Sequence, residues 1–370
     1  MERLQRLYAD YGQSVWLDYI DRKLLRRGGL ETLIAAGLRG VTSNPTIFHQ
    51  ALSAGADYDD DIRDLLTADP GMDEKALYEW LVVQDIRRAA DLLAPVYEES
   101  EGTDGFVSLE VDPHLAHRTG ATVNEARHLW RAVNRPNLMI KVPATQAGIP
   151  AIEALIADGV NVNVTLLFSI PRYREVQAAY LNGVALNEAP RQVASVASFF
   201  LSRIDVLVDR SLEAIGTPGA LALRGRAGLA CARLAYRAFK AEVASERFAL
   251  HQRRGARYQR PLWASTTPKG SGYPALHYVE HLIGGDTVVT VVPDILDALQ
   301  ANAVLHGSLD LGIDQAENDI EALQTHGINL SQVAQALEDE GVRRFVESQE
   351  RLFEVLGRKR ESLAKRWAQA

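Results

Sequence analysis

Lys141 lies in the run Leu138-Met-Ile-Lys-Val142, in which every other side chain is apolar. An ammonium ion in such surroundings must be paired or give up its proton, because burying a lone charge costs several kcal/mol. A lysine that can give up its proton captures a ketone as an imine. At the ordinary amine pKa of ~10.4 only on the order of a thousandth of the side chain is free amine at pH 7. Two carboxylates stand in comparable strand-like runs, Asp18 in residues 14–20 and Glu110 in residues 105–111. Either carboxylate alone would read as a cap or a paired charge. Together with a lysine they suit carbonyl chemistry, in which protons are delivered and removed at separate steps.

More polar residues stand where greasy ones are expected: Asn163 and Thr165 in the run 160–167, and Ser198 in 194–201 with Arg203 just past it. Ser265 ends 261–265, and Asn44 closes the turn after 40–42. These runs, with 138–142 and 287–292, make eight β-rich segments, most of them followed by an amphipathic stretch. Alternating strands and helices imply a parallel sheet, and eight units suggest a closed (β/α)8 barrel. An open doubly wound sheet would usually carry a glycine-rich turn after its first strand, where Asp18-Tyr-Ile-Asp-Arg22 stands instead. Inward positions of barrel strands are normally filled by bulky apolar residues, so polar ones there mark a site.

Helices are expected over 74–98, 171–186 and 219–245. A final one is expected over 330–368, capped by Ser331 and carrying Val333, Leu337, Val342, Phe345, Leu352, Leu356 and Leu363. With no Pro/Gly-rich linker before it, this tail is expected to pack on the barrel. The expected division is a catalytic barrel over 1–312 and a helical extension over 313–370.

Composition narrows the classes. The 370 residues carry 40 basic and 48 acidic side chains, a formal net charge of −8, which argues against nucleic-acid binding. Hydrophobic residues make up 47%, enough for a large core. No stretch reaches the ~20 apolar residues of a membrane span, and the amino terminus does not resemble a secretory signal, so a cytoplasmic location is expected. The single Cys231 excludes an internal disulfide and reads as a small buried hydrophobe. His114 and His117 lack a third ligand at matching spacing, so no metal is expected. The basic stretch 251–260 reads as a solvated loop. The loop Lys269-Gly270-Ser271-Gly272 suits a phosphate monoester, since loops after the seventh and eighth strands are the usual phosphate site of such barrels.

The segments Trp16-Leu-Asp-Tyr-Ile20, Thr42-Ser-Asn-Pro-Thr46, Ile140-Lys-Val-Pro-Ala-Thr145 and Asn163-Val-Thr-Leu-Leu-Phe-Ser169 resemble, in order, those of the transaldolase family. So do Val107-Ser-Leu-Glu-Val-Asp112, Ala197-Ser-Phe-Phe-Leu-Ser-Arg203 and Leu262-Trp-Ala-Ser-Thr-Thr-Pro-Lys269, and the resemblance spans about residues 14–303. The length and the helical tail are similar to its bacterial branch with larger insertions. The resemblance implies transfer of a dihydroxyacetone unit between phosphorylated sugars through a lysine Schiff base, without metal or organic cofactor. It makes Lys141 the nucleophile and Asp18 the base at the C4 hydroxyl. Glu110 becomes the acid/base, acting through a water held by Thr165. Asn44, Asn163 and Ser198 would hold the triose unit, Phe200 would shape the wall, and Arg203 with Ser265 would bind phosphate. Many members carry a second arginine two residues after the serine matching Ser265. Thr267 stands there in this chain, and Lys269 follows. The implied partners are a ketose donor and an aldose acceptor, with a homodimer as the assembly to test. An aldolase that releases the triose would use the same residues up to the enamine, whereas a non-catalytic sugar-phosphate sensor would gain nothing from a free amine.

Overall fold

The computed structural model describes residues 2–269 and 272–367, with side chains through residue 362. Eight strands form one closed parallel barrel in sequence order, β1 pairing with both β2 and β8. They are β1 (Gln13–Leu17), β2 (Gly40–Thr42), β3 (Phe106–Glu110), β4 (Leu138–Pro143), β5 (Val162–Leu167), β6 (Ser195–Phe200), β7 (Arg260–Ala264) and β8 (Thr287–Val291). The fold is therefore the (β/α)8 barrel expected from the alternation of strands and helices.

Side-chain alternation sorts the interior into layers. Trp16, Phe106, Met139, Val196, Leu262 and Val288 form one buried apolar cluster in the lower barrel. Gly40 lies in register with Trp16, and a Cβ there would come within 2.6 Å of the indole, so a glycine makes room for the ring. Two residues further along these strands the inward positions become polar: Asp18 past β1, Thr42 in β2, Ser108 in β3, Lys141 in β4, Ser198 in β6 and Thr290 in β8. The change from apolar to polar along these six strands marks the mouth at the C-terminal end.

The opposite end is closed by a charged plug. Asp104, just before β3, accepts hydrogen bonds from Ser14 Oγ, Trp16 Nε1 (2.9 Å) and Arg39 Nε (2.8 Å), with Arg260 Nη1 3.8 Å away. The stretch 251–260 is accordingly not a solvated loop. Arg254 donates to the carbonyl of Asn187 at 2.6 Å, Arg257 to those of Gly102 and Glu101, and Arg260 to Ser14 and Thr287. Carbonyls left over at strand and helix ends attracted these guanidinium groups, a long-range pairing that local polarity cannot reveal.

Two helix expectations need correction. Residues 219–245 form two helices, Pro218–Leu221 and Ala227–Val243. Gly225 breaks them in the left-handed region (φ +71°), its N–H held by Asp209. The last helix, Leu330–Trp367, is capped by Asn329, whose Oδ1 accepts from the N–H groups of Ser331 (3.0 Å) and Gln332 (3.2 Å). Ser331 is thus inside the first turn, and Leu363 lies beyond the described side chains. This helix packs across the mouth: Ser348 meets Thr46 at 2.9 Å, Glu338 pairs with Arg172 at 3.6 Å, and Lys359 pairs with Asp59 at 2.5 Å. Cys231 is buried, and burial, with Asp205 nearby, pushes its thiol up to about 12. No described helix is long and apolar enough to cross a membrane.

Candidate active site

A cavity of about 730 Å³ opens at the mouth. Asp18, Asn44, Lys141, Ser198, Phe200, Arg203, Ser265 and Lys269 all line it. Strand ends from around the barrel converge there because the polar inward positions fall at the same height.

Lys141 and Glu110 are register neighbours on β4 and β3. Both side chains are buried, with Nζ 3.3 Å from Glu110 Oε2, and Nζ also donates to the carbonyl of Ser43 at 3.3 Å. The cost of burying the lysine is offset by pairing. Burial pushes the Glu110 carboxyl up, and Lys141 pulls it back down only in part. Glu110, Asn163 and Thr165 sit in the polar layer around the lysine without lining the open cavity. Glu110 Oε2 and Thr165 Oγ1 are buried and lack a hydrogen-bond partner among the described residues. Asn163 is braced from both sides: Ser198 Oγ donates to its Oδ1 (2.7 Å), and its Nδ2 donates to Ser108 Oγ (3.0 Å).

Asp18 faces Lys141 from the other wall of the cavity. Burial raises its pKa, while Lys141, Arg203 and Lys269 act in the opposite direction. Burial raises the pKa of both carboxyls that flank the amine, so each holds a proton more readily than an exposed carboxyl does. Asn44 has a double duty: its Oδ1 caps the helix Pro45–Ser53 through Ile47 N–H at 3.0 Å, and Asn44 also lines the cavity.

The rim is cationic. Arg203, in the first turn of the helix Leu201–Ile215, stacks on Phe200 with its guanidinium carbon 5.1 Å from the ring centroid. Arg203 makes no salt bridge to the nearby Asp205, whose carboxyl instead accepts from Tyr278 Oη (2.6 Å) and Gly228 N–H (2.9 Å). Ser265 sits in the left-handed region (φ +52°) with its Oγ 2.8 Å from Ser202 Oγ. A non-glycine residue there is strained, and such strain collects at functional sites. Lys269 is exposed on the rim, and residues 270–271 of its glycine-rich loop lie outside the described residues. Among the described residues, no cluster of three or more His, Cys, Asp or Glu is placed to hold a metal ion.

A family model described as Transaldolase/Fructose-6-phosphate aldolase matches residues 15–356. The chain belongs to the transaldolase/fructose-6-phosphate aldolase family. A curated relative from Thermobifida fusca (strain YX), named transaldolase, is 48% identical over 357 residues, covering 95% of this chain and 96% of the relative. Transaldolases of Mycolicibacterium smegmatis and Mycobacterium tuberculosis are each 46% identical, over 350 and 353 residues, covering 93% of this chain and 94% and 93% of the relatives. The chain is thus an enzyme of the transaldolase family.

In this family member the site also contains residues that sequence reasoning passed over. Ser108 braces Asn163, and its signal was available, since it lies two residues before Glu110 on the same strand face. Ser43, whose carbonyl receives the Lys141 proton donor, and Ser202, the partner of Ser265, carried no signal beyond being small and polar. Leu337, Glu340, Arg344 and Phe345 roof the cavity from the last helix, which the resemblance, ending near residue 303, did not reach.

Proposed function

We propose that the chain moves a dihydroxyacetone unit from sedoheptulose 7-phosphate to glyceraldehyde 3-phosphate, giving erythrose 4-phosphate and fructose 6-phosphate, through an imine on Lys141. The observation that carries this reading is Lys141, on the wall of the mouth cavity of a transaldolase-family barrel, paired at 3.3 Å with the buried Glu110 outside that lining.

Glu110, its pKa raised by burial, takes the proton of the Lys141 ammonium, and the free amine attacks the ketose C2. Glu110 then returns a proton to the carbinolamine hydroxyl, which leaves as water. A water bridging Glu110 Oε2, which Lys141 Nζ approaches at 3.3 Å, and the unpartnered Thr165 Oγ1 would satisfy the hydroxyl and relay these protons. Asp18 removes the C4 hydroxyl proton, and the C3–C4 bond breaks with its electrons flowing into the protonated imine. The aldose leaves, and the resulting enamine attacks the acceptor aldehyde. Asp18 gives its proton to the new alkoxide, and hydrolysis frees Lys141. Asn44, Asn163 and Ser198 hold the triose hydroxyls, Phe200 forms the wall, and Arg203 with Ser265 and Lys269 attracts the phosphate. The substrates are then phosphorylated sugars, and the cytoplasmic location expected from the sequence belongs to the same reading, with a homodimer left as the assembly to test.

Borohydride reduction in the presence of fructose 6-phosphate tests it. One reduced adduct should map to the peptide containing Lys141. An adduct on Lys269 with Lys141 unmodified would overturn the assignment. Free dihydroxyacetone accumulating without an acceptor aldehyde would make the chain an aldolase.

A further inference from the structure

We infer that the last helix completes the phosphate site: Arg344 joins Arg203 in gripping the substrate phosphate, and Glu340 holds Arg344 in place until that phosphate displaces it. This rests on the proposed sugar-phosphate chemistry and adds a binding residue to it from outside the barrel strands.

The loop after β7 brings no arginine to the rim. Thr267 lines the cavity as an uncharged residue, and Lys269 is exposed beyond it. A lysine there is a point charge without the fork that grips two phosphate oxygens. Arg203 makes no ion pair or hydrogen bond with any described residue, although it is enclosed between the rings of Phe200 (5.1 Å) and Phe345 (5.9 Å). A half-buried guanidinium left unpaired at the rim of a cavity is poised for an anion that enters it.

The roof supplies an arginine. Arg344 lines the same cavity, and Arg344 Nη2 lies 2.5 Å from Glu340 Oε1 one helical turn earlier. The fields of the two groups meet at Arg203: burial lowers its pKa most, Arg344 acts the same way, and Glu340 opposes them. Arg344 and Arg203 thus repel each other across the space where an anion would bridge them, with Glu340 as the resident counterion.

The turn that carries them is held firmly against the barrel. Gly341 follows Glu340, and a Cβ there would lie 2.8 Å from Leu166 Cδ2 and 3.5 Å from Arg203 Nη1. Leu166 stands at a register shift of β5, in the left-handed region (φ +59°), and joins the apolar cluster containing Leu337 and Phe345. The strand irregularity and the glycine together let the helix approach closely enough for Arg344 to reach the site.

Binding of inorganic phosphate to the full chain, followed by calorimetry, tests this without depending on catalysis. Arg344→Gln should weaken phosphate about threefold to tenfold, less than the tenfold or more expected for Arg203→Ala, because Arg344 is 58% exposed. Arg344→Lys should restore part of the loss. The KM for fructose 6-phosphate should rise in step, with unphosphorylated fructose losing far less. Glu340→Gln should strengthen phosphate binding about twofold to threefold, by removing the competing carboxylate. Unchanged affinity in Arg344→Gln alongside a loss in Arg203→Ala would overturn the inference and leave the proposed function standing. Weaker binding in Glu340→Gln would also overturn it, since Glu340 would then only be holding the helix. Indifference of phosphate to both arginine changes would remove the phosphate reading altogether.

Discussion

The two ends of the barrel treat buried charge in opposite ways. At the N-terminal end, Asp104 is surrounded by donors it can use: Ser14, Trp16 and Arg39, with Arg260 close by. At the C-terminal mouth, Glu110 has only Lys141 as an ion-pair partner, at 3.3 Å, Thr165 keeps a hydroxyl without a partner, and Arg203 a charge without an ion pair among the described residues. A polar group that the protein satisfies rigidifies the fold, whereas one left unsatisfied raises the free energy until something else binds it. The same strands therefore carry a satisfied carboxylate at one end and the proposed reactive groups at the other, as expected of barrels whose chemistry sits at the C-terminal face.

The largest effects should come from the mouth and should fall on rate. Glu110→Gln should slow imine formation, and Asp18→Asn should permit the imine but block carbon–carbon cleavage, so that an adduct of full sugar mass accumulates. General acid–base groups are worth roughly 10²–10⁴-fold, which rapid quench with borohydride can resolve for each step. Normal trapping and cleavage in both variants would erase the division of roles.

At the other end the loss should fall on stability. Asp104→Asn leaves Arg39 and Arg260 without their carboxylate and should cost about 3–5 kcal/mol by denaturant unfolding. The molecules that remain folded should keep their turnover. A rate loss without a stability loss would mean that the plug and the mouth are coupled.

Thr165→Val sharpens the contrast within the mouth. The valine keeps the shape and removes a buried hydroxyl that has no protein partner. Its unfolding free energy should hold or rise, by about 1 kcal/mol at most, while imine formation slows. A destabilised Thr165→Val protein would show that this hydroxyl serves the fold.

Asp205 is an intermediate case, a buried carboxyl with hydrogen-bond donors and no cation. Burial pushes it up to about 7, against the opposing hydrogen bonds from Tyr278 and Gly228. Below the ordinary carboxylate range it is protonated in both folded and unfolded chains. As pH rises toward 7 the unfolded chain releases the proton first, so stability contributed by the neutral form is lost through that window. The thermal midpoint should fall by about 1–3 °C between pH 5 and 8 on account of this group, and Asp205→Asn should remove that slope.

Much of the mouth was legible because strand geometry is local. A two-residue alternation places Asp18, Lys141 and Ser198 inward whatever surrounds them, and their polarity in apolar runs stands out in the chain itself. The same alternation would have exposed Ser108. The limits were equally physical. Asn329 and Ser331 are both competent caps, and only the backbone of Asn329 outside the first turn selects between them. Arg254, Arg257 and Arg260 look like a solvated run because their carbonyl partners come from segments about 70 to 155 residues away, counting from the bonds of Arg254 and Arg257.

Sequence by itself determined the number and order of the strands, the polar layer at their C-terminal ends and the candidate trio of Lys141, Glu110 and Asp18, since each follows from side-chain chemistry at short-range spacing. Tertiary structure alone decided where the last helix lies. The apolar stripe through Leu337 and Phe345 says that one face must be buried, but any apolar surface would satisfy it. The close approach at Gly341, Leu166 and Arg203 selects the mouth, and with it makes Arg344 and Glu340 part of the site.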